Sequence, residues 1–148
     1  MKRSVSGLLV AGFVLAFATA LNAGTLEKEG QAWLDAQKEP AAINVSGTWD
    51  SERGVLSLGQ NTGSRDVNGS GGGYELTGVV SGKRLYLLFS NPVGLLHLGQ
   101  NNTVDYCAIL SSESNNSLTG SYSARQTRLR FGKGLCQEKS KKMYMRKR

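Results

Sequence analysis

From Val45 onward the chain is written in short runs of alternating residues, and no other feature narrows its fold as far. Such runs stand near Val45–Trp49, Val55–Leu58, Val67–Gly69, Tyr74–Val80, Arg84–Phe89, Leu95–Leu98, Val104–Leu110, Leu118–Tyr122 and Met143–Met145. Turn signals separate them: Asn61-Thr62-Gly63, Gly71-Gly72-Gly73, Ser81-Gly82-Lys83, Asn91-Pro92 and Ser114-Asn115-Asn116. Short strands at this spacing predict an antiparallel barrel or a sandwich. Leu76, Gly78 and Val80 fall on one strand face, as do Leu85, Leu87 and Phe89. Glycine-rich strands suit a small, strongly coiled barrel, where glycine relieves crowding at the bends. The reading is therefore all-β: a small antiparallel β-barrel of roughly eight strands with one short N-terminal helix. Leu85-Tyr86-Leu87-Leu88-Phe89 is apolar on both faces, so one face fills the core and the other meets the helix or a partner.

A phrase also occurs twice. Leu56-Ser57-Leu58-Gly59-Gln60-Asn61 returns as Leu96-His97-Leu98-Gly99-Gln100-Asn101, and Leu76-Thr77-Gly78 returns as Leu118-Thr119-Gly120. Alternating leucines running into Gly-Gln-Asn read as a half-buried strand entering a turn. The glycine of Leu-Thr-Gly marks a bulge or a close backbone approach. The repeat suggests two similar β-units on one core.

Upstream, Thr25 to Lys38 is the one helical stretch. Leu26, Gly30, Trp33, Leu34 and Gln37 share a face, Thr25 is placed to cap the N-terminus, and Pro40 stops the helix. Its narrow apolar stripe is expected to pack on the end or side of the barrel.

The first twenty residues read as a secretory signal. Lys2 and Arg3 form a short basic region, Leu8 to Ala18 is apolar, and Ala18-Thr19-Ala20 has the small-x-small form of a cleavage site, with Leu21-Asn22-Ala23 as the second choice. The organisation expected is 1–20 signal peptide, 21–44 helix and linker, and 45–148 barrel with a basic C-terminal strand or tail. No later stretch is long and apolar enough to span a membrane as a helix. The expected location is periplasmic or secreted. An exported chain with two cysteines, Cys107 and Cys136, is expected to pair them. Closing a loop of roughly 30 residues would add about 3–4 kcal/mol. Four Asn-x-Ser/Thr sequons, at Asn44, Asn68, Asn101 and Asn115, read either as glycan acceptors or as Asn- and Ser-rich turns.

Val45-Ser46-Gly47-Thr48-Trp49-Asp50-Ser51, followed by Gly54-x-Leu56-x-Leu58-x-Gln60, resembles a small secreted bacterial β-module with a Gly-Thr-Trp opening. The later Val67-Asn68-Gly69, Leu76-Thr77-Gly78-Val79-Val80-Ser81-Gly82 and Leu118-Thr119-Gly120-Ser121-Tyr122 resemble the strands that follow in that module. The opening is also similar to calycin-type barrels, the lipocalin and avidin-like proteins. That resemblance implies a barrel with the tryptophan closing one end. It implies a binding or structural role and carries over no catalytic residue. Avidin-like biotin-site residues do not follow the opening.

The residues point away from catalysis. His97 is the single histidine and has Ser57 at the matching place in the other copy of the repeat. One histidine without a Cys/His cluster does not make a zinc site, and no Gly-x-Ser-x-Gly elbow occurs. Gly69-Ser70-Gly71-Gly72-Gly73 lacks the lysine and helix of a phosphate loop and reads as a hairpin. Asp50, Glu52, Asp66, Glu75, Asp105 and Glu113 supply carboxylates for a hydrolase, the least favoured alternative. No catalytic residue, metal ligand or cofactor is assigned.

Two sets of binding candidates emerge. Trp49, Tyr74, Tyr106 and Tyr122 lie on predicted strands and are the ligand-binding candidates. Positive charge is concentrated at the C-terminus, where ten basic residues after Ala124 stand against Glu138 alone. Between residues 21 and 124 there are six basic and ten acidic residues. Arg125, Arg128, Arg130 and Lys133 are candidates for gripping an anionic envelope polymer or the acidic face of a protein partner. Nucleic acid fits the charge but not an exported chain. The expected function is an exported, non-enzymatic binding protein for a small ligand or envelope component. The first alternative is a protein-interaction module, an inhibitor or assembly partner, acting through its basic C-terminal face.

Overall fold

The computed structural model describes residues 28–91, 103–124 and 140–148. One helix, α1 (Lys28–Asp35), precedes eight strands: β1 (Gly47–Ser51), β2 (Gly54–Gln60), β3 (Asp66–Gly71), β4 (Tyr74–Ser81), β5 (Arg84–Asn91), β6 (Thr103–Ser114), β7 (Ser117–Ala124) and β8 (Lys141–Lys147). They form a closed antiparallel barrel in chain order, sealed where β1 meets β8 through Trp49↔Lys147, Asp50↔Arg146 and Ser51↔Met145. The barrel, rather than the sandwich, follows from this last pairing, which removes the free edges of an open sheet.

Alternation sorts the side chains. Leu56 and Leu58 of β2, Leu76 and Val80 of β4, Leu85, Leu87 and Phe89 of β5, Leu110 of β6, Leu118 of β7 and Met143 and Met145 of β8 fill the interior around Trp49. Each is at most 5% exposed, so this part of the lumen is occupied by side chains. The second apolar face of β4 and β5 is covered from outside. There Val79 and Leu88 join Val104 and Cys107 beneath Leu34 of α1, with Trp33 and Tyr86 beside them. The Trp33 and Tyr86 rings meet edge to face at 5.6 Å. Helix α1 thus packs on the barrel side. It ends at Asp35, short of the expected Lys38, and the chain then leaves to cross one end of the barrel; residues 25–27 lie outside the described residues.

Of the two copies of the repeated phrase, one falls among the described residues. The first lies on β2; the second, with the expected run Leu95–Leu98, lies outside the described residues, between β5 and β6. Those two strands pair directly, so the barrel is complete without that run. The shorter Leu-Thr-Gly repeat does have a common structural meaning. Gly78 and Gly120 both point inward where a neighbouring strand comes close. A Cβ on Gly120 would lie 1.9 Å from the Ile109 carbonyl oxygen, and one on Gly78 would lie 2.5 Å from that of Tyr86. These are close backbone approaches, one of the two alternatives the pattern left open.

The strand expected at Val45–Trp49 begins two residues later because the chain before it has another task. Residues 39–46 run across the end that holds the β4–β5 turn. Glu39 N–H donates to Ser81 Oγ, Gly82 N–H donates to the Pro40 carbonyl, and Ala42 N–H donates to the Gly82 carbonyl. Ala41, Ile43 and Val45 then turn their side chains into the core. Gln60, the buried last residue of β2, holds the crossing. Its Oε1 accepts the Val45 N–H at 2.8 Å, and its Nε2 donates to the carbonyls of Ile43 and Ser64. Trp49 is 1% exposed and donates its indole N–H to the Val45 carbonyl at 2.9 Å. Trp49 is thus a core residue tied by its indole N–H to the 39–46 segment.

Candidate functional site

At the opposite end, three inward positions of different strands carry tyrosine. Tyr74 opens β4, Tyr106 lies near the start of β6 and Tyr122 near the end of β7. Alternation aims them inward in line with Leu76, Ala108 and Leu118. The register brings them together: Phe89 lies opposite Tyr106, and Ala108 opposite Tyr122. The rings meet edge to face, Tyr74 to Tyr106 at 5.8 Å and Tyr106 to Tyr122 at 6.3 Å, while Tyr74 rests on buried Phe89 at 5.9 Å. All three tyrosines are half-buried.

Arg53 completes the group. It belongs to the tight β1–β2 turn, where its N–H donates to Ser51 Oγ, which itself donates to the Gly54 carbonyl at 2.7 Å. The side chain folds over the mouth and sets its guanidinium carbon 3.9 Å from the centre of the Tyr106 ring, 5.3 Å from Tyr122 and 5.6 Å from Tyr74. These are cation–π distances. Burial pulls the guanidinium pKa down, and the tyrosines, Tyr106 foremost, more than offset it, leaving it above the usual arginine value. The glycine-rich β3–β4 turn fits the same spot. Gly72 has φ +60°, and a Cβ there would lie 2.3 Å from the Arg53 carbonyl oxygen. The glycine run is thus needed where two turns abut under the arginine.

The two acids nearest Arg53 in the chain, Glu52 and Asp50, are engaged elsewhere. Glu52, adjacent to Arg53, turns to accept the Tyr144 N–H with both carboxylate oxygens, at 3.0 and 3.1 Å. Asp50 pairs with Arg148 at 2.8 Å, an exposed contact that raises the arginine's pKa through the hydrogen bond and the charge. Glu113, toward the opposite end of the barrel, accepts from Thr119 Oγ1. Among the described residues no cluster of three His, Cys, Asp or Glu side chains is arranged to hold a metal.

Of the four aromatic candidates, Tyr74, Tyr106 and Tyr122 converge, whereas Trp49 lies in the core, tied to the segment that closes the other end. Arg125, Arg128, Arg130 and Lys133 lie outside the described residues, as do His97 and Cys136. Cys107 is buried beneath α1 and is not a free thiol. Sequence reasoning did not find Arg53. A basic residue in a tight turn carries no signal of its own, and only closure of the barrel sets it over rings more than twenty residues away in the chain.

The hollows on the outer surface are a separate matter. A groove of about 920 Å³ runs between residues 36–40 and the strands bearing Arg84, Tyr86 and Ser111. A crevice of about 270 Å³ lies between α1 and strands β3 and β4, and a hollow of about 470 Å³ adjoins Tyr144. None of the three is lined by the mouth tyrosines. Comparison with protein-family models, with curated proteins and with solved structures returns no match, so the chain is placed by its architecture: an eight-stranded, closed antiparallel barrel.

Proposed function

We propose that this chain is an exported, non-enzymatic binding protein that presents the tyrosine-lined mouth of its barrel to a small ligand or envelope component. One observation carries the reading: three tyrosines from separate strands converge around a guanidinium at one end, while the other end is closed by residues 39–46. Half-buried tyrosines offer apolar ring faces and hydroxyls together, as binding surfaces commonly do. The filled lumen favours a ligand seated on the mouth over one swallowed into the barrel. The signal-like leader supports export, and the Gly-Thr-Trp opening supports a calycin-like relationship. A Cys107–Cys136 disulfide belongs to the same reading. Mass spectrometry with and without reductant and alkylation tests it, and equal masses would remove it.

The function itself is tested by isolating the protein natively from its producer's envelope and recording its mass under non-denaturing conditions. A small adduct lost on denaturation, and lost in Tyr106→Ala, supports a mouth that binds. A bare monomer in both proteins would overturn it. A second reading, an inhibitor or assembly partner acting through the basic C-terminal face, draws on one observation. Tyr144 of β8 is 54% exposed between exposed Lys142 and Arg146. A stable complex with another protein in the same experiment, weakened by Tyr144→Ser, would favour this reading.

A further inference from the structure

We infer that the mouth takes an oxyanion, a carboxylate or phosphate carried on an apolar or aromatic body, and that Arg53 is its anchor. The inference rests on the proposed binding role of the mouth and gives that role a ligand class.

Charge balance is the first argument. Arg53 is half-buried, and the partners of its guanidinium among the described residues are the three tyrosines, Tyr106 foremost. Among the described residues no carboxylate forms a salt bridge with it. The adjacent acid, Glu52, spends both oxygens on the Tyr144 N–H, and Asp50 spends one on Arg148. A partly buried cation whose partners among the described residues are tyrosines meets no opposing charge there, and an incoming anion supplies one.

Geometry is the second argument. The guanidinium carbon stands 3.9 Å from the centre of the Tyr106 ring. The N–H donors of a guanidinium lie in its plane, and two of them suit a carboxylate or phosphate edge in bidentate fashion. The three rings around the arginine limit its rotamers, so less freedom is lost when the ion binds. Lys141 adds charge at the same end. It lies opposite Tyr122 in the β7–β8 register, exposed, two and four residues from inward-facing Met143 and Met145.

The tyrosine faces supply the apolar half of the site, and the hydroxyls of Tyr74, Tyr106 and Tyr122 are further donors. A cationic ligand is disfavoured because the rings already hold a cation. It would have to displace Arg53 or meet its repulsion.

The test uses the full mature chain with its cysteines oxidised, and isothermal titration at low salt. Benzoate is compared with benzamide, which keeps the ring and removes the charge. Inorganic phosphate and vesicles of phosphatidylglycerol or phosphatidylcholine distinguish a free anion from a lipid headgroup. Benzoate should bind at least about tenfold more tightly than benzamide. Arg53→Gln should abolish that preference, and Arg53→Lys should restore part of it, since it keeps the charge and loses the fork. Far-ultraviolet circular dichroism and melting confirm that both variants fold. Binding to phosphatidylglycerol vesicles alone, lost in Arg53→Gln, would also support the inference and assign the anion to a headgroup. Equal binding of benzoate and benzamide, or a preference unchanged in Arg53→Gln, would overturn it and leave a mouth that binds through its rings. A preference for tetramethylammonium that strengthens in Arg53→Gln would overturn it in favour of a cation cage plugged by Arg53. Silence of every probe up to about 1 mM would overturn it as well. If the native protein still carried an adduct, the binding role would stand without the anion.

Discussion

At one end of the barrel, residues 39–46 lie across the opening, with Ala41, Ile43 and Val45 in the core and Gln60 taking up the backbone groups they bring with them. At the other, Tyr74, Tyr106 and Tyr122 stand half-buried around a guanidinium, with their contacts made between side chains. The first end is built like a protein interior, where each buried polar group finds a partner and the side chains interlock. The second is built from groups that keep one side toward solvent and tolerate exchange of neighbours. Closure by backbone fixes shape. Closure by ring edges and a single cation leaves a surface on which another molecule can compete. The same strands thus end in a sealed interior at one end and in a half-buried surface of tyrosines around a guanidinium at the other.

If that contrast is right, the closed end should be far more sensitive to substitution than the mouth. Trp49→Ala removes the largest buried side chain of the core and its hydrogen bond to Val45, and is expected to cost about 3–5 kcal/mol in urea unfolding. Gln60→Leu leaves the buried Val45 N–H unpaired and is expected to cost about 1–3 kcal/mol by the same measurement. Tyr106→Ala at the mouth removes two edge-to-face contacts and the ring beneath Arg53. It should cost less than Trp49→Ala while abolishing the adduct of the native protein. A loss equal to that of Trp49→Ala would make the mouth structural and end the comparison. Arg53→Gln is expected to cost only about 0.5–1 kcal/mol, the lower part of the cation–π range.

The smallest effect is one of pH. The Arg53 pKa is held above its ordinary value, so its stabilisation is fully present below the unfolded value and is lost only as pH rises through the arginine range. The melting difference between the parent and Arg53→Gln should therefore be flat from about pH 5 to pH 9. A slope in that window would mean that a group titrating nearer neutrality controls the mouth.

Much of this could be read from residues alone. The alternating runs marked every strand of the barrel, although the first was placed two residues early. The doubly apolar Leu85–Phe89 run foretold a covered outer face, and Leu34 with Trp33 supplied the cover. Leu-Thr-Gly correctly signalled close backbone approach at Gly78 and Gly120. Three of the four aromatic candidates proved to be neighbours, because their inward alternation and their places near the strand ends left them one destination. Of the longer repeat, only the first copy, on β2, falls among the described residues.

What the sequence determined by itself was local: strand and turn periodicity, the helix stripe, the inward faces and the glycines that make room. These follow from near-neighbour sterics and from the period of the chain, which few residues suffice to set. Only the tertiary structure decided that β1 would close on β8, that Gln60 would bind a segment fifteen residues earlier, and that Arg53 would lie over Tyr106 without a salt bridge to any acid among the described residues. Those contacts join residues far apart in the chain. Their energies depend on register and barrel closure, which no local pattern encodes.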